Sequence, residues 1–110
     1  VDIWVAQGLS SRVSDPPALS SPAMAIKLNN GTSMPSSAYG FWMIPGGQCA
    51  EALEMAIDAG YRCFDFAAIY GNEAAIGQAL SRVLASGKVK REELYIVSKL
   101  WASEWHQVDA

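Results

Sequence analysis

Residues 49–65 read CAEALEMAIDAGYRCFD, and the fold is decided on this stretch. Cys49, Ala52, Leu53, Ala56 and Ile57 recur at i, i+3, i+4 spacing, which gathers them on one helical face and predicts a helix over residues 49–59. Gly60 stands where a helix C-terminus favours a left-handed residue. Residues 61–65 then drop the helical spacing and become dense in aromatic and apolar side chains, which predicts a strand.

The same alternation continues on both sides. Downstream, Asn72 is placed to cap a second helix, with Glu73 in its first turn where the helix dipole favours an anion. Ile76, Ala79, Leu80, Val83 and Leu84 form its buried stripe, and Gly87 ends it. Residues 94–97, Leu-Tyr-Ile-Val, predict a continuous apolar strand closed by Ser98 and Lys99. Upstream, residues 37–42 predict a short strand, broken by Pro45-Gly46-Gly47. Before that, residues 25–28 and the run from Met34-Pro35 read as the arms of a hairpin around Asn29-Asn30-Gly31. The order strand, helix, strand, helix, strand, with strands apolar on both faces, implies an α/β fold on a parallel sheet. Two closures fit that order: an open doubly wound sheet or a (β/α)8 barrel. The GxGxxG that an open dinucleotide-binding sheet carries after its first strand is absent. The glycines at Gly71 and Gly77 have the wrong spacing for it, and no Gly-Lys-Ser/Thr follows.

Residues 1–23 differ in kind. Ser10, Ser11, Ser14, Pro16, Pro17, Ser20, Ser21 and Pro22 punctuate them, no periodicity holds, and they are expected to form a disordered extension ahead of a start at Met24. The domain expected from the remainder is residues 24–110. Composition narrows the function. With 110 residues there is material for one small core. A net charge of −3 without a Lys/Arg cluster argues against a nucleic-acid surface; the basic run at 88–91 is followed at once by Glu92 and Glu93 and reads as a solvated loop. No apolar run approaches the roughly 18 residues of a membrane span, and residues 1–23 lack the pattern of a signal peptide. Cys49 and Cys63 have no metal-site spacing and are expected to be free buried thiols in a reducing, cytoplasmic compartment, with no metal bound.

In a barrel, chemistry gathers at the C-terminal ends of the strands. The first predicted strand ends at Gly40-Phe41-Trp42, the second at Asp65 with Tyr70 in the following loop, and the third at Lys99 with Trp101 just beyond. An acid, a phenol, an amine and an indole would then share one rim. A Lys near the rim needs a counter-ion, and Asp65 is the nearest candidate by topology. A cation beside a phenol favours the phenolate, and a phenol so tuned can donate a proton to a developing alkoxide. That suits carbonyl reduction, in which hydride reaches carbon and a proton reaches oxygen. Each residue also has an ordinary reading: an Asp after a strand caps a turn, a Tyr beside Gly-Asn packs, a Lys at a strand end is solvated, and Trp42 and Trp101 line a core or rim. His106, the only histidine, sits among polar residues and is assigned no role.

Taken together, residues 58–65 (DAGYRCFD), Ala67, Tyr70-Gly71-Asn72-Glu73 and Gly77 resemble the signature of the aldo-keto reductase family around its catalytic Asp and Tyr. Residues 89–101 resemble the family segment that carries its catalytic Lys, and Asn29-Asn30-Gly31 with Met34-Pro35 resembles the hairpin closing the bottom of that barrel. The matches keep family order and spacing from about Ile26 onward. The resemblance implies a (β/α)8 TIM barrel that uses NADPH to reduce aldehydes and ketones, with a small-molecule carbonyl substrate and a monomeric full-length form. It implies Tyr70 as proton donor, with Asp65 and Lys99 tuning it and positioning the nicotinamide. It implies Gly40, Phe41 and Trp42 at the cofactor, and Trp42 and Tyr70 at the substrate. The family's Gly-x-Gly-Thr-Trp run reads Ala38-Tyr39-Gly40-Phe41-Trp42 here, so Phe41 replaces a Thr beside the nicotinamide ribose. Such a barrel needs about 250 residues, so the sequence is expected to supply only the hairpin and first three strands, and to be inactive and poorly folded alone. A non-enzymatic regulatory or binding relative on the same barrel is the alternative; the joint presence of Asp65, Tyr70 and Lys99 favours the enzyme.

Overall fold

The computed structural model describes residues 25–107. The expected extension over residues 1–23 lies outside them.

The chain opens with the hairpin. Strand β1 (Ala25–Lys27) pairs antiparallel with β2 (Ser33–Pro35), Ile26 opposite Met34. The Asn30 side chain organises the turn, its Oδ1 accepting from the Thr32 amide at 3.0 Å and the Thr32 hydroxyl at 2.7 Å.

Strands β3 (Tyr39–Gly40), β4 (Cys63–Asp65) and β5 (Tyr95–Val97) form a parallel sheet in that order. Helix α1 (Cys49–Asp58) connects the first pair, and α2 (Glu73–Ala85) connects the second. Both helices pack on one face of the sheet in a single core, where Leu53, Ala56 and Ile57 of α1 and Ile76, Ala79 and Val83 of α2 meet Phe41, Phe64 and Phe66. Sequential strand order with both crossovers on one face is the winding of a barrel; a doubly wound sheet reverses its order and covers both faces. Three strands do not close a barrel, and the described residues form an arc of one.

The end of α1 shows how sequence sets geometry. Gly60 takes φ 95°, its amide donates to Ile57 O at 3.0 Å, and the Tyr61 amide donates to Ala56 O at 2.9 Å. These two bonds satisfy carbonyls that the helix end would otherwise leave open, and they turn the chain straight into β4. Arg62 adds a second lock, its Nη1 donating to the carbonyls of Ile57 and Tyr61, each at 2.9 Å.

Two expectations change. The first strand is shorter than the expected 37–42, because a turn over Trp42 and Met43 lifts the chain away after Gly40. Burial on both faces holds for Cys63 and Phe64, but Tyr95, Ile96 and Val97 are only half-buried. A parallel strand is buried twice only where a second layer covers it, and among the described residues both helices lie on the same side.

Candidate active site

Pleating decides which side chains reach the rim. Tyr39, Phe64 and Ile96 occupy one row of the sheet, and Gly40, Asp65 and Val97 the next. The first row faces the helices, as its membership of the core shows. The second therefore faces away from them, toward what would be a barrel interior. Asp65 thus stands at the C-terminal end of the middle strand, on the face opposite the helices.

Three polar side chains close into a triangle there. The Lys99 ammonium donates to Asp65 Oδ1 at 2.6 Å and to the Tyr70 hydroxyl at 3.1 Å, and the Tyr70 O–H donates to Asp65 Oδ2 at 2.9 Å. A third ammonium hydrogen goes to Phe66 O at 3.0 Å, which fixes Lys99 against the end of β4. Tyr70 arrives through a 3-10 turn, Ala68–Tyr70, closed by Gly71 in the left-handed region (φ 69°). Lys99 lies two residues past the end of β5, and Ser98 between them donates to Glu73 Oε1 at 2.9 Å in the first turn of α2. Glu73 therefore ties the Lys99 loop to α2 as well as facing the helix dipole, a cross-link that spacing along the chain does not reveal.

The ion pair lies half in solvent, with the Lys99 side chain 48% and the Asp65 side chain 32% exposed. Pairs so placed contribute about 0–1 kcal/mol to stability, so the triangle is not explained as a device for folding. Its electrostatic effect is on charge state. The hydrogen bond from Lys99 to Asp65, and after it the bond to Tyr70, raise the lysine pKa above its ordinary value, outweighing a small opposing effect of desolvation. Lys99 is held as a cation one hydrogen bond from the phenolic oxygen.

Trp42 stands beside the triangle. The residue is 53% exposed, and its ring meets the Tyr70 ring edge-on, centroids 5.0 Å apart at 63°. Leu100 and Trp101 are exposed beyond Lys99 on the same rim. Gly40 is exposed in register with Asp65, and a side chain there would meet open space, so its surface is free for a flat ligand to approach.

Phe41 lies elsewhere. Its ring is fully buried among Tyr39, Phe64 and Phe66, with centroid separations of 5.1–6.3 Å. Its backbone is committed too, the amide donating to Asp65 O at 3.1 Å and the carbonyl accepting from Asn72 Nδ2 at 2.9 Å, so Phe41 anchors the core and presents no surface to the rim.

Asn72 also departs from expectation. It sits at the N-cap of α2 but makes no cap bond. Its Nδ2 donates instead to Phe41 O and Ile44 O, each at 2.9 Å, across the turn that carries Trp42. In that turn Met43 has φ 63° at a position where Gly or Asn is the usual occupant, closed by the Ile44 amide on Phe41 O at 3.3 Å. Neither the strained Met43 nor the long reach of Asn72 has a local signal, because Phe-Trp-Met-Ile contains no turn-forming residue. Cys49 and Cys63 are free and buried as expected, and burial pushes both thiols up, with the Asp65 charge adding to it at Cys63.

A parallel sheet wound in strand order, with an Asp–Tyr–Lys triangle at its C-terminal rim, is an arc of a barrel with a polar cluster at the end where barrels carry their chemistry. The sequence profile of the "Aldo/keto reductase family" matches residues 27–109, and the chain belongs to that family. It is 52% identical over 83 residues to an NAD(P)H-dependent D-xylose reductase of Pyricularia oryzae, covering 76% of this chain and 25% of that protein. It is 46% identical over 92 residues to an NADPH-dependent D-xylose reductase of Candida boidinii, covering 84% of this chain and 28% of that protein. The chain therefore spans about a quarter of the length of these relatives. Among solved structures it superposes on an aldose reductase from Schistosoma japonicum with a TM-score of 0.65 at 45% identity, covering 70% of this chain and 26% of that one. It matches a Bombyx mori aldo-keto reductase in complex with NADP at a TM-score of 0.64 and 37% identity, covering 70% and 27%.

Proposed function

We propose that this chain carries the proton-donating part of an NADPH-dependent reductase that converts aldehydes or ketones to alcohols. The observation that carries the reading is the closed triangle of Asp65, Tyr70 and Lys99 at the strand ends, beside the Trp42 ring. The relatives support it, since the two D-xylose reductases are NAD(P)H- or NADPH-dependent, and a structural neighbour is described in complex with NADP. A sugar aldehyde is the first substrate to try.

The residues present suit such a cofactor at one end. Asp65 and Lys99 offer paired charges at the rim, Gly40 leaves open space in the same row, and Trp42 borders it. A reduced nicotinamide held there by Asp65 and Lys99 would supply the hydride for the carbonyl carbon. Tyr70 gives the proton. Its O–H turns from Asp65 Oδ2 toward the substrate oxygen and transfers its proton as negative charge builds there. The phenolate left behind is held by the Lys99 ammonium, already at hydrogen-bond distance, and Asp65 keeps that lysine charged and in place. Trp42 excludes water from one side and orients the carbonyl against Tyr70. The two free thiols suit a reducing compartment, and we assign the protein to the cytoplasm.

The test is Tyr70→Phe in the polypeptide that carries this segment in its native context. Loss of the proton donor lowers turnover by about 10²–10⁴-fold, with NADPH still bound by fluorescence titration. Near-normal turnover removes Tyr70 from the role.

A further inference from the structure

The turn that presents Trp42 is held by a residue outside the Asp65–Tyr70–Lys99 triangle. Asn72 is 4% exposed, and both hydrogens of its amide go to carbonyl oxygens, Phe41 O and Ile44 O, at 2.9 Å each. These carbonyls flank Trp42 and Met43. Because two acceptors face the NH2 group, the orientation of the amide is settled, and Oδ1 is left buried without a protein partner. Backbone bonds anchor the two ends of the span, the Phe41 amide on Asp65 O at 3.1 Å and the Gln48 amide on Pro45 O at 2.8 Å, while across the turn itself the backbone offers only the Ile44 amide on Phe41 O at 3.3 Å. Met43 holds a left-handed backbone across this span (φ 63°), a conformation that persists only where the surroundings over-determine it. Asn72 follows Tyr70 by two residues, so one side chain couples the Trp42 turn to the Tyr70 loop.

We propose that Asn72 is a positioning residue that sets the Trp42–Tyr70 wall of the carbonyl cleft, acting through the carbonyls of Phe41 and Ile44. The proposal rests on the reductase reading for its catalytic consequence, and on the hydrogen bonds alone for its structural one. A residue serving only as a helix cap would spend its side chain on the α2 amides, and Asn72 does not.

The test pairs kinetics with a probe that needs no turnover, in the polypeptide carrying this segment in its native context. Asn72→Asp keeps the shape but turns a carboxylate toward two carbonyl oxygens; Asn72→Ala removes the donors without adding charge. Either raises KM for the carbonyl substrate by about tenfold while kcat stays within about threefold. In a Trp42→Ala background the same change moves KM by less than about twofold, since the wall it positions is gone. An undiminished KM effect in that background overturns the proposal. Fluorotryptophan labelling supplies the second readout, with the Trp42 resonance identified by its loss in Trp42→Phe. The Trp42 signal shifts or broadens in whichever Asn72 variant is folded by circular dichroism; an unmoved signal overturns the proposal. If the wild-type protein reduces no carbonyl, the reductase reading falls, and a Trp42 signal that still answers to Asn72 upholds its hold on the turn.

Discussion

Lys99 carries the clearest electrostatic signature at the scale of single residues. Its folded pKa is raised, chiefly by Asp65, so the fold favours its charged form. For a raised basic group the stabilising contribution is complete below the unfolded lysine value of about 10.4 and disappears as pH rises through the higher folded value. Thermal melts between pH 9 and pH 12 are therefore expected to fall more steeply at the alkaline end in the wild-type protein than in Lys99→Met; parallel profiles would dissociate the pKa shift from stability. The effect is small, because half of the lysine side chain is in solvent. Met43 offers a second residue-scale expectation. Its φ of 63° in an exposed side chain carries strain of about 1–2 kcal/mol. Asn tolerates that backbone better, so Met43→Asn is expected to raise stability by about 1 kcal/mol in urea melts, and a loss of stability would show that the Met side chain contributes packing here.

Among the elements, α2 is where local propensity and tertiary demand diverge. Gly77 lies on its exposed face with ordinary helical backbone, and a methyl group there meets nothing within 4 Å. Gly77→Ala is accordingly expected to stabilise by about 0.5–1 kcal/mol, read as a higher denaturation midpoint with unchanged slope; a destabilised variant would mean that this face is covered by another part of the protein. The helices themselves were legible from spacing: the buried residues of α1 and α2 are drawn from the stripes read along the chain, with Ala52, Leu80 and Leu84 half-buried at their margins. Strand lengths were not legible, since Phe41-Trp42 has strand-like composition and the turn that cuts β3 short is bridged by Asn72, 31 residues from Phe41. Asn72 does stand at the N-cap of α2, but its side chain makes no cap bond, for the same reason. A local rule counted the cap bond, while the folded chain offered the buried carbonyl of Phe41 and the part-buried carbonyl of Ile44.

For the molecule as a whole, the central strand is the only one of the parallel sheet flanked on both sides among the described residues. Amide exchange is expected to follow that arrangement. Amides of β4 bonded to β3 and those of β5 bonded to β4 exchange together with the core, and outward-facing amides of β3 and β5 exchange faster. Uniform protection across all three strands would indicate that further chain or a partner covers the edges in solution. The candidate site belongs to this scale too. Asp65 and Lys99 lie 34 positions apart in sequence, and they touch only because the crossover through α2 returns β5 beside β4 in register, Asp65 opposite Val97.

What the chain's sequence determined by itself was periodic or local: two amphipathic helices, the left-handed exit at Gly60, the apolar strands, the Asn-Gly hairpin turn, and the residue types at the strand ends. Periodicity survives any tertiary arrangement, so it can be read without one. The tertiary structure alone decided which way those side chains face and what they hold. It buried the Phe41 ring in the core, aimed Asn72 at the Trp42 turn rather than at its own helix, linked Glu73 to Ser98, and closed the hydrogen-bonded triangle. These outcomes depend on competition between distant partners for a limited number of donors and acceptors, and that competition is settled only when the strands are brought together.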